Sequence, residues 1–228
     1  FCSLGGSVAE QFWLPFRDKP YAAITQQISL LEADAIYIAL DGSNTANFLE
    51  KYWQDGGQLP IIGGSVTFDP TLLSANGLSQ SRLPGAISAL PLVDDDPGRG
   101  WQNFVTAYRK RFPSASRVPS LFTVDYFINT KAALLGLEEA DGDLTGGQAK
   151  LREALTELNF NTPQGRVSLD ENRQAIANNY VVEIAMGDDK RLHNKVAYVT
   201  TSVDQTLGMG RERYLALGAP GPKTPSCP

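Results

Sequence analysis

The run Ala35-Ile36-Tyr37-Ile38-Ala39-Leu40 constrains this chain more than any other stretch. It is near-continuously apolar and carries no charge. A strand built from it prefers cover on both faces, which is the condition of strands inside a parallel sheet. The neighbouring segments alternate between strand and helix patterns. Val8–Leu14 is apolar, aromatic and closed by Pro15, which predicts a strand. Pro20 stands where a helix begins, and Ala23, Ile24, Ile28 and Leu31 recur at helical spacing over 21–33. After the apolar run, Asp41-Gly42-Ser43-Asn44 supplies a turn and helix-capping residues. The helix it opens puts Phe48, Leu49, Tyr52 and Trp53 on one stripe, and Gly56-Gly57 ends it. Leu59-Pro60-Ile61-Ile62 is a short strand leading into Gly63-Gly64-Ser65. Asp69-Pro70 starts a short helix, and Ala86–Leu92 is a further strand. This alternation over the first ninety residues predicts a doubly wound α/β sheet.

Beyond Leu92 the pattern changes. Asp94-Asp95-Asp96-Pro97-Gly98 is a polar, hinge-like stretch. A helix follows with Trp101, Phe104, Val105 and Tyr108 on one face and Pro113 beyond its end. Pro119 opens a longer one over 120–140, and Gln148–Leu158 forms a third. Three successive helices have apolar faces that need a sheet this stretch does not supply. The end turns to β structure: 165–170, 180–186 and 195–201 read as strands, and the Pro- and Gly-rich tail from Gly218 reads as irregular.

Composition excludes several classes of function. Of the 228 residues, 42% are hydrophobic, enough for a real core. Net charge is −5 and the isoelectric point is near 5.0, which argues against a nucleic-acid partner. The basic cluster Arg109-Lys110-Arg111 ends a helix, where cations are favoured. No apolar run is long enough to span a bilayer. The opening Phe1-Cys2-Ser3-Leu4-Gly5-Gly6, without initiating Met or leader, reads as a helix end and turn in a processed or truncated product.

Catalytic machinery is hard to assemble from these residues. The one histidine, His193, stands beside Asp188, Asp189 and Lys190 and reads as a solvated loop residue. No Gly-x-Ser-x-Gly elbow occurs, since Gly63-Gly64-Ser65-Val66-Thr67 lacks the closing glycine. Gly142 and Gly147 have the outer spacing of a phosphate loop, but Gln148-Ala149 replaces its Lys and hydroxyl. Asp94-Asp95-Asp96 lacks the spaced ligands of a calcium loop. Catalytic residues, a metal and a cofactor are therefore not expected. The remaining candidates are the two glycine-containing loops, Asp41-Gly42-Ser43 and Gly64-Ser65-Val66. Each follows a predicted strand, and ligands of open α/β sheets lie beyond the carboxyl ends of strands. Glycine there lets a ligand approach the backbone, and Ser43 sits at a helix N-terminus that can meet an anion or polar group. Ordinary strand-to-helix turns favour the same residues.

The order of these pieces resembles the branched-chain amino acid-binding branch of the type I periplasmic solute-binding proteins. The resemblance rests on several stretches: Ala33-Asp34-Ala35 through Gly42, the helix start Asn47–Tyr52, Leu59–Gly64, Trp101–Phe112, Pro119-Ser120 opening a long helix, and Asn161-Thr162-Pro163-Gln164-Gly165 before a Val-Ser-Leu-Asp strand. Each is weak alone, but together they keep their order over roughly two hundred residues. The resemblance implies a two-lobed type I periplasmic binding fold of doubly wound sheets with its N-terminal part missing. Residues 1–90 would form most of the second lobe. Residues 91–175 would return to the first lobe, as helices without their sheet, and 176–228 would complete the second lobe and form the tail.

It also implies a non-enzymatic, extracytoplasmic component of an ABC-type importer in a bacterial periplasm. Its partners would be a small-molecule ligand, a membrane permease and the missing N-terminal half. A ligand-sensing receptor domain of the same fold is the alternative. An α/β hydrolase-like enzyme is a third, for which no residue set speaks. Ligand contacts would fall at Asp41, Gly42, Ser43, Gly64, Ser65 and Val66. Phe16 and Phe122 are candidate apolar walls, with Phe68 and Tyr126 as further ones. Amino acid-binding members hold the ligand's ammonium with a Glu at the place of Ser65. A buried ammonium without a carboxylate is costly, so an aromatic or other organic acid is favoured, although Asp41 could substitute from the neighbouring loop. An oxidising compartment would permit a Cys2–Cys227 disulfide tying the tail to the second lobe. If it forms, the intact mass after alkylation stays unshifted until the protein is reduced, and then rises by two alkyl groups.

Overall fold

The structure, a computed structural model, describes residues 5–15, 17–75, 78–206 and 208–219. Cys2, Cys227 and Phe16 lie outside the described residues.

Three parallel strands, β1 (Ile36–Ile38), β2 (Ile61–Gly63) and β3 (Ile87–Leu90), lie side by side in that order. They are connected through α2 (Gly42–Gln54), α3 (Pro70–Leu73) and a short 3-10 turn at Gln80–Arg82, while α1 (Tyr21–Ile28) precedes β1. All three helices pack on one face of this sheet. Ile24 and Ile28 of α1, Phe48, Leu49, Tyr52 and Trp53 of α2, and Leu72 and Leu73 of α3 share one core with Ile38, Ile61, Phe68 and Ile184. The amphipathic stripe on α2 fits that placement.

The opposite face departs from expectation. Tyr37, Ile62 and Ile87 occupy matched register positions across the three strands, and all are exposed, Tyr37 at 68%. The apolar run is therefore covered on one side only, because no described helix packs against the other. Val8–Leu14 is also not a strand. Phe12 and Leu14 face the core while Trp13 is exposed, so the period of two survives. A strand needs a neighbour for its N–H and C=O groups, and β1 is paired with β2 alone among the described residues.

Beyond β3 the chain makes α4 (Arg99–Arg111), α5 (Leu121–Glu139) and α6 (Thr145–Glu157). Within α6, Gly146, Gly147 and Gln148 have positive φ, so the right-handed helix begins after them. Trp101 and Val105 of α4 pack with Val124 of α5, and Gly136 of α5 lies against Leu151 and Leu155 of α6. Much of these helices faces outward: Phe122, Tyr126, Phe127 and Leu134 are exposed, and α6 buries no residue.

The helices are followed by β4 (Asn159–Thr162), β5 (Gly165–Leu169), β6 (Ala175–Met186) and β7 (Leu192–Val203). The sequence reading missed β4, whose Asn-Phe-Asn-Thr pattern carries little apolar signal. β6 joins the two parts of the molecule. Its residues 180–183 pair antiparallel with β3, its residues 175–176 pair with β5, and β7 runs along its other edge. A short helix, α7 (Arg211–Leu215), ends the described chain.

Leu49 is fully buried at the centre of the α2 face. Leu49→Ala is expected to lower unfolding stability by about 2–5 kcal/mol, read as a lower urea midpoint.

Candidate functional site

The two glycine-containing loops come together at the carboxyl ends of β1 and β2. Parallel pairing places both strand ends on one side, and Thr67 ties them. Its hydroxyl lies 2.8 Å from the Ile38 carbonyl and 3.1 Å from that of Leu40, and it accepts from the Gly64 N–H at 3.1 Å. The Gly64 N–H also donates to the Ile38 carbonyl at 2.8 Å. Thr67 is fully buried, so these bonds form away from water. Ser65 and Asp41 are exposed and Val66 is half-buried. At the first loop, Asp41 precedes α2 but makes no side-chain cap. Its Oδ1 instead accepts from the Asn44 side-chain amide at 2.8 Å, and the Tyr21 hydroxyl donates to Asn44 Oδ1 at 3.3 Å. Burial, together with the Asp41 charge, pushes the Tyr21 phenol up from its ordinary value.

The glycines prove to serve packing as well as access. A Cβ on Gly63 would lie 2.7 Å from the Phe68 ring, and one on Gly64 would lie 3.0 Å from the Tyr37 hydroxyl. Gly42 is different: nothing approaches it, but its φ of +36° is a conformation glycine adopts without strain.

The wall candidates separate. Phe68 is a core residue with no exposure, whereas Phe122 is 56% exposed in the first turn of α5. Ser65 and Leu121 line one small crevice with Asp69, Pro70, Leu92 and Trp101, so the second loop and the start of α5 are neighbours. The crevice has a volume of about 10 Å³, room for one water at most. A larger groove of about 390 Å³ lies elsewhere, between α5, α6 and the β4–β5–β6 strands. It contains none of the loop residues. It lies between the inner side of α5 and α6 and the strands beneath them, away from both loops.

Sequence reasoning missed the residue that connects the second loop to α5. Asp69 is buried. Its Oδ1 accepts from the Thr71 N–H at 2.9 Å and its hydroxyl at 2.6 Å, and its Oδ2 accepts from the Leu121 N–H at 2.6 Å. Asp-Pro was legible as a helix start, but a partner 52 positions away in sequence leaves no local signal.

Two further expectations are corrected. His193 is not a solvated loop residue. Its side chain is 29% exposed and lies between Asp94 and Asp189, 3.4 Å and 3.0 Å from their carboxylates. Asp94 is not a surface acid either, being 3% exposed and accepting from the Asn194 N–H at 2.8 Å.

A family model described as periplasmic binding protein matches residues 1–190. No curated protein matches the chain. Among solved structures, a solute-binding protein of an ABC transporter from Rhodopseudomonas palustris, in complex with 3,4-dihydroxybenzoic acid, is similar at a TM-score of 0.78 and 22% identity, covering 89% of this chain and 54% of that one. Another from Rhodopseudomonas palustris, in complex with 4-hydroxybenzoate, has a TM-score of 0.76 and 20% identity over 88% of this chain and 54% of its own. A leucine-binding protein from Thermotoga maritima has a TM-score of 0.67 and 21% identity, with coverage of 87% and 53%. The chain thus spans about half the length of the structures it resembles.

Asp69→Ala leaves the Leu121 N–H buried and unpaired. It is expected to cost about 1–3 kcal/mol in unfolding free energy, measured by chemical denaturation.

Proposed function

The chain belongs to the periplasmic binding protein family, and from that premise we propose that it carries one wall of a ligand cleft in an extracytoplasmic solute receptor. In this reading, residues 1–90 and 176–228 form the second lobe, and 91–175 contribute helices to the first. The groove beneath α5 and α6 and the bare face of Tyr37, Ile62 and Ile87 are surfaces that the remaining part of a two-lobed receptor would cover. The receptor delivers its ligand to the permease of an ABC importer, and lobe closure, a hinge motion biased by the ligand, commits it.

The ligand contacts proposed are Asp41, Gly42 and Ser43 from the first loop and Gly64, Ser65 and Val66 from the second. Phe122 stands on the facing helix. The observation that carries this reading is the Thr67 clasp, which brings both loops to one rim beside the start of α5. The ligand class follows from Ser65. It is an exposed hydroxyl where amino acid receptors of this family keep a carboxylate, and Asp41 Oδ1 is already engaged by Asn44. A hydroxyl and first-turn amides of α2 suit an anionic oxygen better than an ammonium group. Exposed Phe122 and Tyr126 suit an aromatic body. We therefore favour an aromatic or other organic acid, the class bound by two of the similar solved proteins.

The test is thermal unfolding of the full-length protein with benzoate, 4-hydroxybenzoate and leucine. Binding to the native state raises the melting temperature, by an amount equivalent to about 2.7 kcal/mol at a hundredfold excess over Kd. An aromatic acid is expected to produce the rise. A rise with leucine and none with either acid would overturn the ligand class.

A further inference from the structure

The crossover 91–98, which leads from β3 into α4, is fastened to the start of β7 by one polar cluster. Asp94 is its centre on the crossover side. Its Oδ1 accepts from the Asn194 N–H, its Oδ2 lies 3.4 Å from His193 Nδ1, and its carbonyl accepts from the Trp101 indole at 3.1 Å. On the other side, Asp189 in the β6–β7 turn meets His193 Nε2 at 3.0 Å. Both ring nitrogens therefore face a carboxylate. A neutral imidazole carries one N–H, so one of the two carboxylates would meet a lone pair. An imidazolium donates to Asp189 and places its positive charge 3.4 Å from the Asp94 carboxylate. The geometry fits the charged ring and penalises the neutral one.

The surroundings agree. Burial pushes the His193 pKa down, but the hydrogen bond to Asp189 and the charges of Asp94, Asp189 and Asp95 outweigh it, and the net direction is upward from 6.5. Burial raises the Asp94 carboxyl, against the Asn194 N–H and the His193 charge, which both favour its ionised form. The hydrogen bond from His193 holds Asp189 below its ordinary value. Two cations approach from outside the pair: Arg191, whose charge acts on Asp189, and Arg117, whose guanidinium is 3.9 Å from Asp189. Among the described residues, His193 is the cation that acts on the buried Asp94 carboxylate.

We propose that His193 is a pH-dependent latch, which fastens the β3–α4 crossover to β7 when protonated and loosens it when neutral. The adjoining Asn194 extends the latch toward the candidate site. It is fully buried, and its side-chain amide donates to the Phe68 carbonyl at 3.0 Å, at the end of the second loop. The fastening is independent of the ligand. Its consequence for lobe motion rests on the reading above, in which this crossover is a linker between lobes.

The sign follows from linkage. A histidine whose folded pKa is raised contributes stability that is complete below 6.5 and lost as pH rises through the folded value. The test is nuclear magnetic resonance across that range, with no ligand present. The His193 ring signal is assigned by its disappearance in His193→Gln. Its midpoint is expected above 6.5, with the Asn194 amide and Trp101 indole signals moving at the same midpoint. Asp189→Asn and Asp94→Asn are each expected to move the midpoint down. A midpoint at or below 6.5, no response to Asp189→Asn, or crossover signals that ignore the titration would each overturn the latch. A normal latch in a protein that binds none of the organic acids would instead fault the ligand reading alone.

Discussion

A strand must find partners for the N–H and C=O groups on both of its edges, and β6 meets that demand by belonging to two sheets at once. On one edge it is paired by β7 from Ala177 to Met186. On the other it pairs with β3 at Tyr180–Glu183 and with β5 at Ala175–Ile176. Between these ladders lies a gap, which side chains close. The Tyr180 hydroxyl donates to the Gln164 carbonyl, and the buried Gln164 amide makes a pair of bonds with the N–H and C=O of Val93, in the manner of a strand neighbour. The crossover out of β3 is thereby anchored to the β4–β5 hairpin just where the backbone ladder stops.

The same economy recurs at the candidate site. Three of the polar groups buried near it connect segments far apart in sequence. Thr67 joins the second loop to the end of β1, Asp69 joins it to α5, and Asn194 joins its last residue to β7 and to the crossover. A buried polar group left unpaired costs more than a paired one contributes, so such a network fixes one arrangement. Like the Thr45 hydroxyl, Asn194 Oδ1 has no partner among the described residues. It sits at the meeting point of loop, strand and crossover, where any movement between them would be felt.

How much of this was legible depended on the range of the signal. Helical stripes such as Phe48–Leu49–Tyr52–Trp53 and short apolar strands announced themselves, because period and capping are properties of neighbouring residues. The strand expected over Val8–Leu14 kept its alternating burial without becoming a strand, since pairing is not a local property. The apolar run at β1 predicts cover on both faces, and Tyr37 shows that hydrophobic composition states a need for cover without supplying it. Loops after strands were found as candidates from turn chemistry alone. The clasp that unites them was not, because a single threonine has no pattern.

The sequence by itself determined the alternation of strands and helices from β1 to α5 and the apolar stripes they carry. These follow from residue type and spacing. Only the tertiary structure decided that Gly63 and Gly64 leave room for Phe68 and Tyr37, that Asp69 is shared between α3 and α5, and that His193 lies between two carboxylates. Each of the Asp69–Leu121 and His193–Asp94 pairs is a contact across dozens of residues. Its strength comes from removing charges and hydrogen-bonding groups from water together, and no one-dimensional pattern records which groups will be buried side by side.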